Sequence, residues 1–205
     1  MLDRLRGSLK GRLESAGKAA ARVIPSPTTW TIIGLFFAFL AFVFYGRVHP
    51  VIGGLMVVIA GLFDVIDGAV ARATGKVSSR GAFLDSTLDR VSELVIYLGI
   101  LVGGYVSPFI VLLVLSFSLL VSYTRAKGDA LGVSLAGIGV GERSERLLVL
   151  ILASLLSAFG LVFLRIGILV ILALAFITFI QRTVKVYGAL GPAAQKAAAS
   201  PPAAS

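Results

Sequence analysis

Long uncharged stretches constrain this chain more than any other feature. No charged side chain occurs from Val51 to Phe63 or from Leu94 to Tyr123, and the mean hydropathy of the 205 residues is +0.99. A helix that crosses the hydrocarbon core of a bilayer needs about 20 apolar residues. A soluble domain of this length does not carry so much apolar sequence. The chain is therefore expected to be an all-α integral membrane protein.

Six transmembrane helices are predicted within one domain, residues 26–190. They are expected at about residues 29–46, 51–72, 82–104, 107–128, 144–164 and 166–187. Short segments rich in Gly, Pro and Ser separate several of them and are typical of turns. His49 lies in one such connection, beside Pro50, and is interpreted as a loop residue.

The two ends of the chain are expected to lie outside this domain. Residues 1–25 predict a juxtamembrane amphipathic helix on an anionic membrane surface, with a solvated basic arm as the alternative. Its apolar positions recur at helical spacing at Leu2, Leu5, Leu9 and Leu13. Basic residues run through the segment without a cleavage site after an apolar core, so it is not expected to be a signal peptide. Residues 191–205 are rich in Ala and Pro and predict a disordered tail.

The distribution of basic residues predicts the orientation. The formal net charge is +9, and Lys and Arg collect in the N-terminal arm, after the second and fourth spans, and near the C-terminus. The other side carries only Arg47 and Arg165. The positive-inside rule therefore places both termini in the cytoplasm of a multi-pass cell-membrane protein. The excess charge favours lipid headgroups and phosphorylated substrates, and no soluble basic domain indicates nucleic-acid binding.

Four aspartates lie where the second predicted span ends and the third begins. Asp64 and Asp67 are three residues apart, and Asp85 and Asp89 are four apart, so each pair shares a helix face. The polar segment 73–80 between them is predicted to be a turn, which makes the two helices antiparallel neighbours. Acidic groups beside apolar segments are costly unless a cation, a partner or water compensates them.

The aspartates allow two interpretations. Carboxylates at this density suit Mg²⁺ or Mn²⁺, and the chain has no cysteine to offer thiolate ligands. The alternative is a set of salt bridges with nearby basic residues, namely Arg72, Lys76, Arg80 and Arg90.

The full pattern resembles the signature of the CDP-alcohol phosphotransferase family. It reads Asp-x2-Asp-Gly-x2-Ala-Arg-x8-Gly-x3-Asp-x3-Asp and is complete from Asp64 to Asp89. The resemblance implies a six-helix membrane enzyme, expected to be a homodimer, that transfers a substituted phosphate from a CDP-linked donor to an alcohol and releases CMP. It implies two divalent metal ions on Asp64, Asp67 and Asp85, with Asp89 as the catalytic base that also contacts a metal.

The resemblance also implies a site for the nucleotide of the CDP-lipid donor, whose lipid is diacylglycerol or archaeol. Gly68 and Arg72 belong to the signature and lie where the nucleotide would pass. Thr28 and Thr31 match the entry to the first span by their offset from the preceding proline, although helix capping explains them equally well. The expected nucleotide-binding residues are Thr28, Thr31, Gly68, Arg72, Gly75 and Ser78.

A second group of polar residues predicts the acceptor. Several helix ends on the predicted cytoplasmic side bring arginine, which recognises phosphate with a bidentate fork. The stretch from Ser122 to Lys127 and the Glu-Arg-x-Glu-Arg stretch from Glu142 resemble the branch of the family that uses inositol phosphate. In this chain Arg125 stands where lysine is usual and Lys127 where arginine is usual. The expected acceptor-phosphate residues are Ser122, Arg125, Arg143, Arg146 and Arg182.

The predicted reaction transfers the lipid phosphate from CDP-lipid to inositol 1-phosphate. Glycerol 3-phosphate is the alternative acceptor because it also carries a phosphate. A divalent-cation transporter and a non-catalytic membrane scaffold are the rival classes. A transporter needs polar residues along a whole pathway, but here the acids cluster near one surface, and a scaffold does not require the aspartate spacing.

Overall fold

The computed structural model describes residues 2–191, which form seven α-helices. In chain order they are α1 (Leu2–Val23), α2 (Pro27–Gly46), α3 (Pro50–Ala73), α4 (Ser79–Val102), α5 (Pro108–Ala130), α6 (Arg143–Leu156) and α7 (Leu161–Ala189). A single 3₁₀ turn, Ser157–Phe159, comes directly after α6. Four helices, α2, α3, α5 and α7, are long and apolar enough to cross a membrane. The all-α membrane class is therefore confirmed, whereas the count of six spans stays a prediction.

Three of the helices, α2, α3 and α5, begin at a proline. Pro27, Pro50 and Pro108 each occupy the beginning of a helix, where the missing N–H costs no hydrogen bond. Ser26 precedes α2, but its side chain makes no capping hydrogen bond. Helix α4 is capped by Ser78, whose Oγ accepts a hydrogen bond from the Gly81 N–H at 3.1 Å.

The predicted boundary between the last two spans is wrong. The sequence placed it at Arg165, between the predicted spans 144–164 and 166–187. The chain instead breaks at Gly160, whose backbone has φ 156° and ψ 142°. Arg165 lies inside α7, and its Nε donates a 3.1 Å hydrogen bond to the carbonyl of Tyr105 in the α4–α5 connection. The Arg165 side chain therefore joins α7 to the loop between α4 and α5.

Close helix contacts place α4 beside α2 and α1 beside α3. A Cβ on Gly99 of α4 would lie 2.6 Å from the backbone of Phe42 in α2, so only glycine fits this approach. A Cβ on Gly17 of α1 would lie 2.6 Å from the carbonyl oxygen of Ala69 in α3. Helix α1 therefore packs on the helix that carries the first two aspartates. The leucine side chains predicted to make α1 amphipathic lie outside the described side chains, and residues 192–205 of the predicted tail lie outside the described chain.

The core lies between α2, α3, α4, α5, α6 and α7. Helix α5 packs against α7, and α6 packs against α7 and α3. The buried apolar residues include Ala38, Tyr45, Val57, Ile96, Ile100, Leu150, Leu164 and Ile168. This packing brings the end of α3 and the beginnings of α4 and α6 together, and these segments carry the polar residues singled out by the sequence.

Candidate active site

Helices α3 and α4 bring three of the four aspartates into one cluster. Ligand oxygens of Asp64, Asp67 and Asp85 all lie within 4.8 Å of one another. The connection between the two helices, residues 74–78, is short enough to make them neighbours. The two aspartate pairs therefore meet, as the sequence predicted from their helical spacing.

The cluster has the chemistry of a divalent-cation site. Asp67 is 5% exposed, and its Oδ2 atom is buried with no hydrogen-bond partner in residues 2–191. A buried carboxylate oxygen without a partner carries a large desolvation cost, which a bound cation offsets. Carboxylate oxygens are the ligands that Mg²⁺ and Mn²⁺ prefer. The residues present therefore fit a hard divalent metal ion.

Arg143, the first residue of α6, reaches the aspartates from a third helix. Its Nη1 atom lies 2.8 Å from Oδ1 of Asp89 and 3.3 Å from Oδ1 of Asp64. The sequence predicted Arg143 as a ligand of the acceptor phosphate and did not connect it to the carboxylates. The structure places it between the aspartate cluster and a neighbouring cavity, so it contributes to both.

The salt-bridge interpretation of the aspartates finds little support in the described residues. Of the nearby basic residues, Arg90 alone forms an ion pair with an aspartate, with Nη1 lying 3.8 Å from Oδ2 of Asp89. Lys76 instead donates to the carbonyl of Pro25 at 3.0 Å. The cation that contacts the cluster, Arg143, comes from a distant part of the sequence.

A cavity of about 510 Å³ opens beside Asp85 and Asp89. Helices α4, α5, α6 and α7 form its wall. All five residues predicted to bind the acceptor phosphate line it, namely Ser122, Arg125, Arg143, Arg146 and Arg182. Four of these residues are arginines, and four carboxylates also line the cavity, namely Asp85, Asp89, Asp129 and Glu142. The cavity can therefore bind an anion through those guanidinium groups that the carboxylates leave free.

The arginines of this cavity differ in the hydrogen-bond partners that their guanidinium groups already have. Arg182 is 2% exposed and donates to the carbonyls of Ile138 and Val121, at 2.8 and 2.9 Å, and to Glu142 Oε1, at 2.7 Å. Arg146 is 1% exposed and is hydrogen-bonded to Glu93 and to the Gly141 carbonyl. The guanidinium groups of these two residues shape the wall, since each is already committed to protein partners.

Arg125 is the exposed arginine of the group. It lines the cavity from α5, and no salt bridge or side-chain hydrogen bond joins it to another described residue. Its guanidinium is therefore available to a ligand without the loss of an internal bond. Ser122, one turn earlier, donates its hydroxyl to the carbonyl of Ser118 at 3.3 Å, which leaves the lone pairs of its oxygen available.

One carboxylate of this region, Glu93, was not identified from the sequence. It lies one helical turn after Asp89 and is 4% exposed. Glu142, which begins the Glu-Arg-x-Glu-Arg stretch, is the N-cap of α6. The signal for Glu93 was its position beside an uncharged run, where a lone carboxylate requires a partner. Sequence spacing did not reveal that this partner is Arg146.

A second cavity, of about 630 Å³, lies on the other side of the cluster. It is lined by five of the six residues predicted to bind the nucleotide, namely Thr28, Thr31, Gly68, Arg72 and Ser78. Gly75 does not line it. The backbone of Gly75 has φ 65°, and a Cβ there would meet no atom within 4 Å, so this glycine serves the turn between α3 and α4.

A small groove of about 20 Å³ adjoins the cluster. Asp64, Asp67 and Asp89 lie at its polar end. Its other lining residues are mostly apolar and come from α2, α3, α4 and α6; they include Gly34, Leu35, Val57, Ala60, Ile96 and Leu147. The aspartates thus adjoin two cavities and one small groove.

Comparison with known proteins identifies the family. Residues 23–181 match the sequence profile described as CDP-alcohol phosphatidyltransferase. The chain belongs to the CDP-alcohol phosphatidyltransferase family. The chain is therefore a transferase, and the transporter and scaffold interpretations of the sequence are wrong.

Two relatives in this family are similar to the chain over most of its length. The chain is 39% identical over 182 residues to the archaetidylinositol phosphate synthase of Pyrococcus horikoshii, a match that covers 89% of this chain and 94% of the relative. It is 34% identical over 180 residues to the phosphatidylinositol phosphate synthase of Streptomyces avermitilis, covering 78% and 72% of the two chains.

Solved structures of the family share the fold. The phosphatidylinositol phosphate synthase of Mycobacterium tuberculosis with CDP-DAG bound superposes with a TM-score of 0.77 at 28% identity, covering 89% of this chain and 96% of that chain. The same enzyme in complex with manganese and citrate gives a TM-score of 0.77 at 28% identity and covers 89% of this chain and 91% of that chain. The helical bundle and its family are thus supported by both sequence and structure.

Proposed function

We propose that this enzyme transfers the lipid-bearing phosphate of a CDP-lipid to inositol 1-phosphate and releases CMP. One observation carries the proposal: Asp85 lines both cavities, so a single carboxylate cluster separates the cavity beside α2 from the arginine-lined cavity beside α5. A donor and an acceptor in these cavities would meet at the aspartates. The names of the relatives above support the choice of acceptor.

The donor is assigned to the cavity beside α2. Its proposed nucleotide contacts are Thr28, Thr31, Gly68, Arg72 and Ser78. The pyrophosphate then lies over Asp64, Asp67 and Asp85, which are the proposed ligands of two Mg²⁺ or Mn²⁺ ions, with Asp89 at the margin. Bound metal offsets the pyrophosphate charge and the charge that develops on the leaving CMP.

The acceptor is assigned to the arginine-lined cavity. Arg125 and Arg143 are the proposed phosphate ligands, with Ser122 as a hydrogen-bonding partner. Arg146 and Arg182 shape the wall and add positive potential. An unphosphorylated alcohol does not require this charge, which is the reason to prefer a phosphorylated acceptor.

Asp89 is the proposed catalytic base. It lines the acceptor cavity and the groove at the cluster, so it lies where an acceptor hydroxyl would approach the donor phosphate. The proton moves from the attacking hydroxyl to the carboxylate of Asp89 while the bond from phosphorus to the oxygen of CMP breaks. A carboxylate is a weak base for an alcohol, so positioning and charge stabilisation supply most of the acceleration.

We further propose a six-span topology with the site on the cytoplasmic side. Helices α4 and α6 are the two additional spans. Helix α4 is continuous, but the acids of the site interrupt its apolar sequence. The basic residues that collect on that side support this orientation. An amphipathic α1 at the cytoplasmic membrane surface, a location in the plasma membrane and a homodimer complete the proposal.

An acceptor screen tests the function. Purified protein is supplied with Mg²⁺ and CDP-diacylglycerol or CDP-archaeol, and CMP release is measured with inositol 1-phosphate, glycerol 3-phosphate, inositol and serine. We expect inositol 1-phosphate alone to stimulate release. Stimulation by glycerol 3-phosphate or by an unphosphorylated alcohol would retain the chemistry of the aspartates and refute the acceptor. Absence of CMP with every acceptor would refute the proposed reaction.

A further inference from the structure

Lys76 joins two connections of the chain at the edge of the cavity beside α2. It lies in the turn between α3 and α4, and its Nζ donates a 3.0 Å hydrogen bond to the carbonyl of Pro25, in the segment between α1 and α2. Lys76 also lines the cavity to which the donor is assigned. The sequence considered this lysine only as a salt-bridge partner of the aspartates, so its contact with Pro25 is a finding of the structure.

The backbone of the turn fixes the point from which the Lys76 side chain starts. The N–H of Gly75 donates to the carbonyl of Arg72 at 3.4 Å, and the N–H of Lys76 donates to the carbonyl of Ala71 at 3.0 Å. This pair of bonds is a Schellman motif, which needs a left-handed residue just after the helix. Gly75 supplies that residue with φ 65°. Lys76 is therefore held directly at the end of α3.

The carbonyl that Lys76 contacts is held as well. Pro25 and Pro27 lie in the short segment before α2, and each proline ring restricts its own φ and the conformation of the residue before it. Trp30, in the first turn of α2, donates its Nε1–H to the carbonyl of Ile24 at 2.9 Å. The Lys76 ammonium is thus anchored to a stiff segment.

This anchor leaves most of the Lys76 ammonium able to bond a ligand. The ammonium has three N–H groups, and the carbonyl of Pro25 accepts one of them. No salt bridge between residues 2–191 involves Lys76. A lysine side chain loses conformational freedom when it binds a ligand, and a side chain that is already held loses less. Lys76 is therefore preorganised to donate to a group in the cavity.

The ammonium is anchored away from the aspartate cluster. Asp67 lies six residues before Ala73, the last residue of α3, which is about 9 Å along the helix axis. Lys76 follows the end of this helix. On α2, Thr31 lines the groove at the cluster, whereas Pro25 precedes the helix by two residues. A donor with its pyrophosphate at the aspartates would therefore place its nucleoside toward Lys76.

We propose that Lys76 is a further donor-binding residue, which donates a hydrogen bond to an oxygen of the ribose or of the cytosine ring. The inference rests on the proposed function, which assigns a CDP-lipid to this cavity. Both parts of the nucleoside carry oxygen acceptors and no negative charge. The contact therefore depends on where the ammonium is held, in addition to its charge.

Titration calorimetry of the purified protein with Mg²⁺ tests the contact with two soluble probes, CDP and inorganic pyrophosphate. The two probes share the diphosphate and differ in the nucleoside. We expect Lys76→Met to weaken CDP binding at least fivefold and to change pyrophosphate binding less than twofold. Because Lys76 is exposed, the melting temperature should not change. An unchanged CDP affinity, or an equal loss for both probes, would overturn the proposal.

Arg80→Met is the matched control. Arg80 lines the same cavity and carries the same charge, but no side-chain hydrogen bond or salt bridge to another described residue holds it. Any effect of this variant should disappear in 1 M NaCl, where the Debye length is about 3 Å. The effect of Lys76→Met on CDP should persist there. If both effects vanish with salt, Lys76 contributes only positive potential and the proposal is wrong.

This experiment is independent of the acceptor. CDP binding requires no acceptor, so a protein that ignores inositol 1-phosphate still decides the role of Lys76. Wild-type protein that binds CDP no more tightly than pyrophosphate would refute the assignment of the donor to this cavity, and the proposed contact with it. Wild-type protein that prefers CDP, combined with an inert Lys76→Met, would refute the Lys76 contact alone.

Discussion

Nη1 of Arg143 lies 2.8 Å from Oδ1 of Asp89, so the proposed phosphate ligand and the proposed catalytic base are in direct contact. The contact keeps the carboxylate of Asp89 facing the acceptor cavity. It also means that an acceptor phosphate bound by Arg143 places the rest of that molecule close to the base.

The first prediction concerns Asp89. Asp89→Asn removes the proton acceptor but preserves the size and hydrogen-bonding shape of the side chain. We expect Mn²⁺ affinity to stay within a few-fold of wild type, while CMP release falls by roughly 10²–10⁴-fold, the usual contribution of general-base catalysis. Calorimetry and a CMP assay measure the two effects. Unchanged turnover would remove Asp89 from the role of base.

The second prediction concerns the metal site. Asp67 has a buried carboxylate oxygen without a partner in the described chain, so Asp67→Asn should weaken Mn²⁺ binding by at least tenfold and abolish CMP release. A chelator should likewise abolish the activity of the wild-type enzyme, and added Mg²⁺ or Mn²⁺ should restore it. Asp129→Asn is the control, since Asp129 lines the acceptor cavity away from the cluster. Equal losses of Mn²⁺ affinity in both variants would contradict the assigned site.

A third experiment compares two basic residues of α5. Arg125 lines the acceptor cavity, whereas Lys127 lines a separate, mainly apolar cavity between α5 and α7. Arg125→Ala should raise the KM for inositol 1-phosphate by about 10–100-fold, in line with loss of a charge-assisted hydrogen bond of roughly 1.5–3 kcal/mol. Because Arg125 is exposed, the melting temperature should not fall. Lys127→Ala should leave this KM unchanged, and a similar rise in both variants would indicate a general effect of charge.

The fourth prediction tests the contact between α2 and α4. Gly99→Ala places a Cβ 2.6 Å from the backbone of Phe42, so the two helices must separate. We expect a loss of about 1–3 kcal/mol in the free energy of unfolding, typical of overpacking, seen as a lower melting temperature.

Gly188→Ala is the matched control for that contact. No atom lies within 4 Å of a Cβ at Gly188 in α7, so the helix preference of alanine should make this variant neutral or slightly more stable. If Gly99→Ala also proves neutral, the close approach of α2 and α4 is wrong.

The positions of the helices and of the aspartates were accessible from the sequence. The spans predicted to begin at about residues 29, 51 and 107 come within two residues of the helix starts at Pro27, Pro50 and Pro108. Helical spacing placed Asp64 beside Asp67. These features depend on neighbours within one helix or one turn. Local chemistry determines them, so a single sequence is sufficient.

Contacts between distant helices were not accessible in the same way. The sequence grouped Arg143, Arg146 and Arg182 by charge. In the structure, Arg143 pairs with carboxylates on α3 and α4, Arg146 pairs with a carboxylate on α4, and Arg182 pairs with the N-cap residue of α6. The rotation of each helix about its axis decides which partner a side chain meets. Spacing along one helix does not set that rotation relative to another helix.

The length of α6 has a consequence for where the reaction takes place. The helix has 14 residues, and at about 1.5 Å per residue it measures roughly 21 Å, less than the hydrocarbon thickness of about 30 Å. Arg143 begins this helix. In the proposed orientation, it therefore sits several ångströms beneath the plane of the phospholipid headgroups. On that proposal, a water-soluble acceptor would have to reach the donor through the cavity lined by α4, α5, α6 and α7, below the membrane surface.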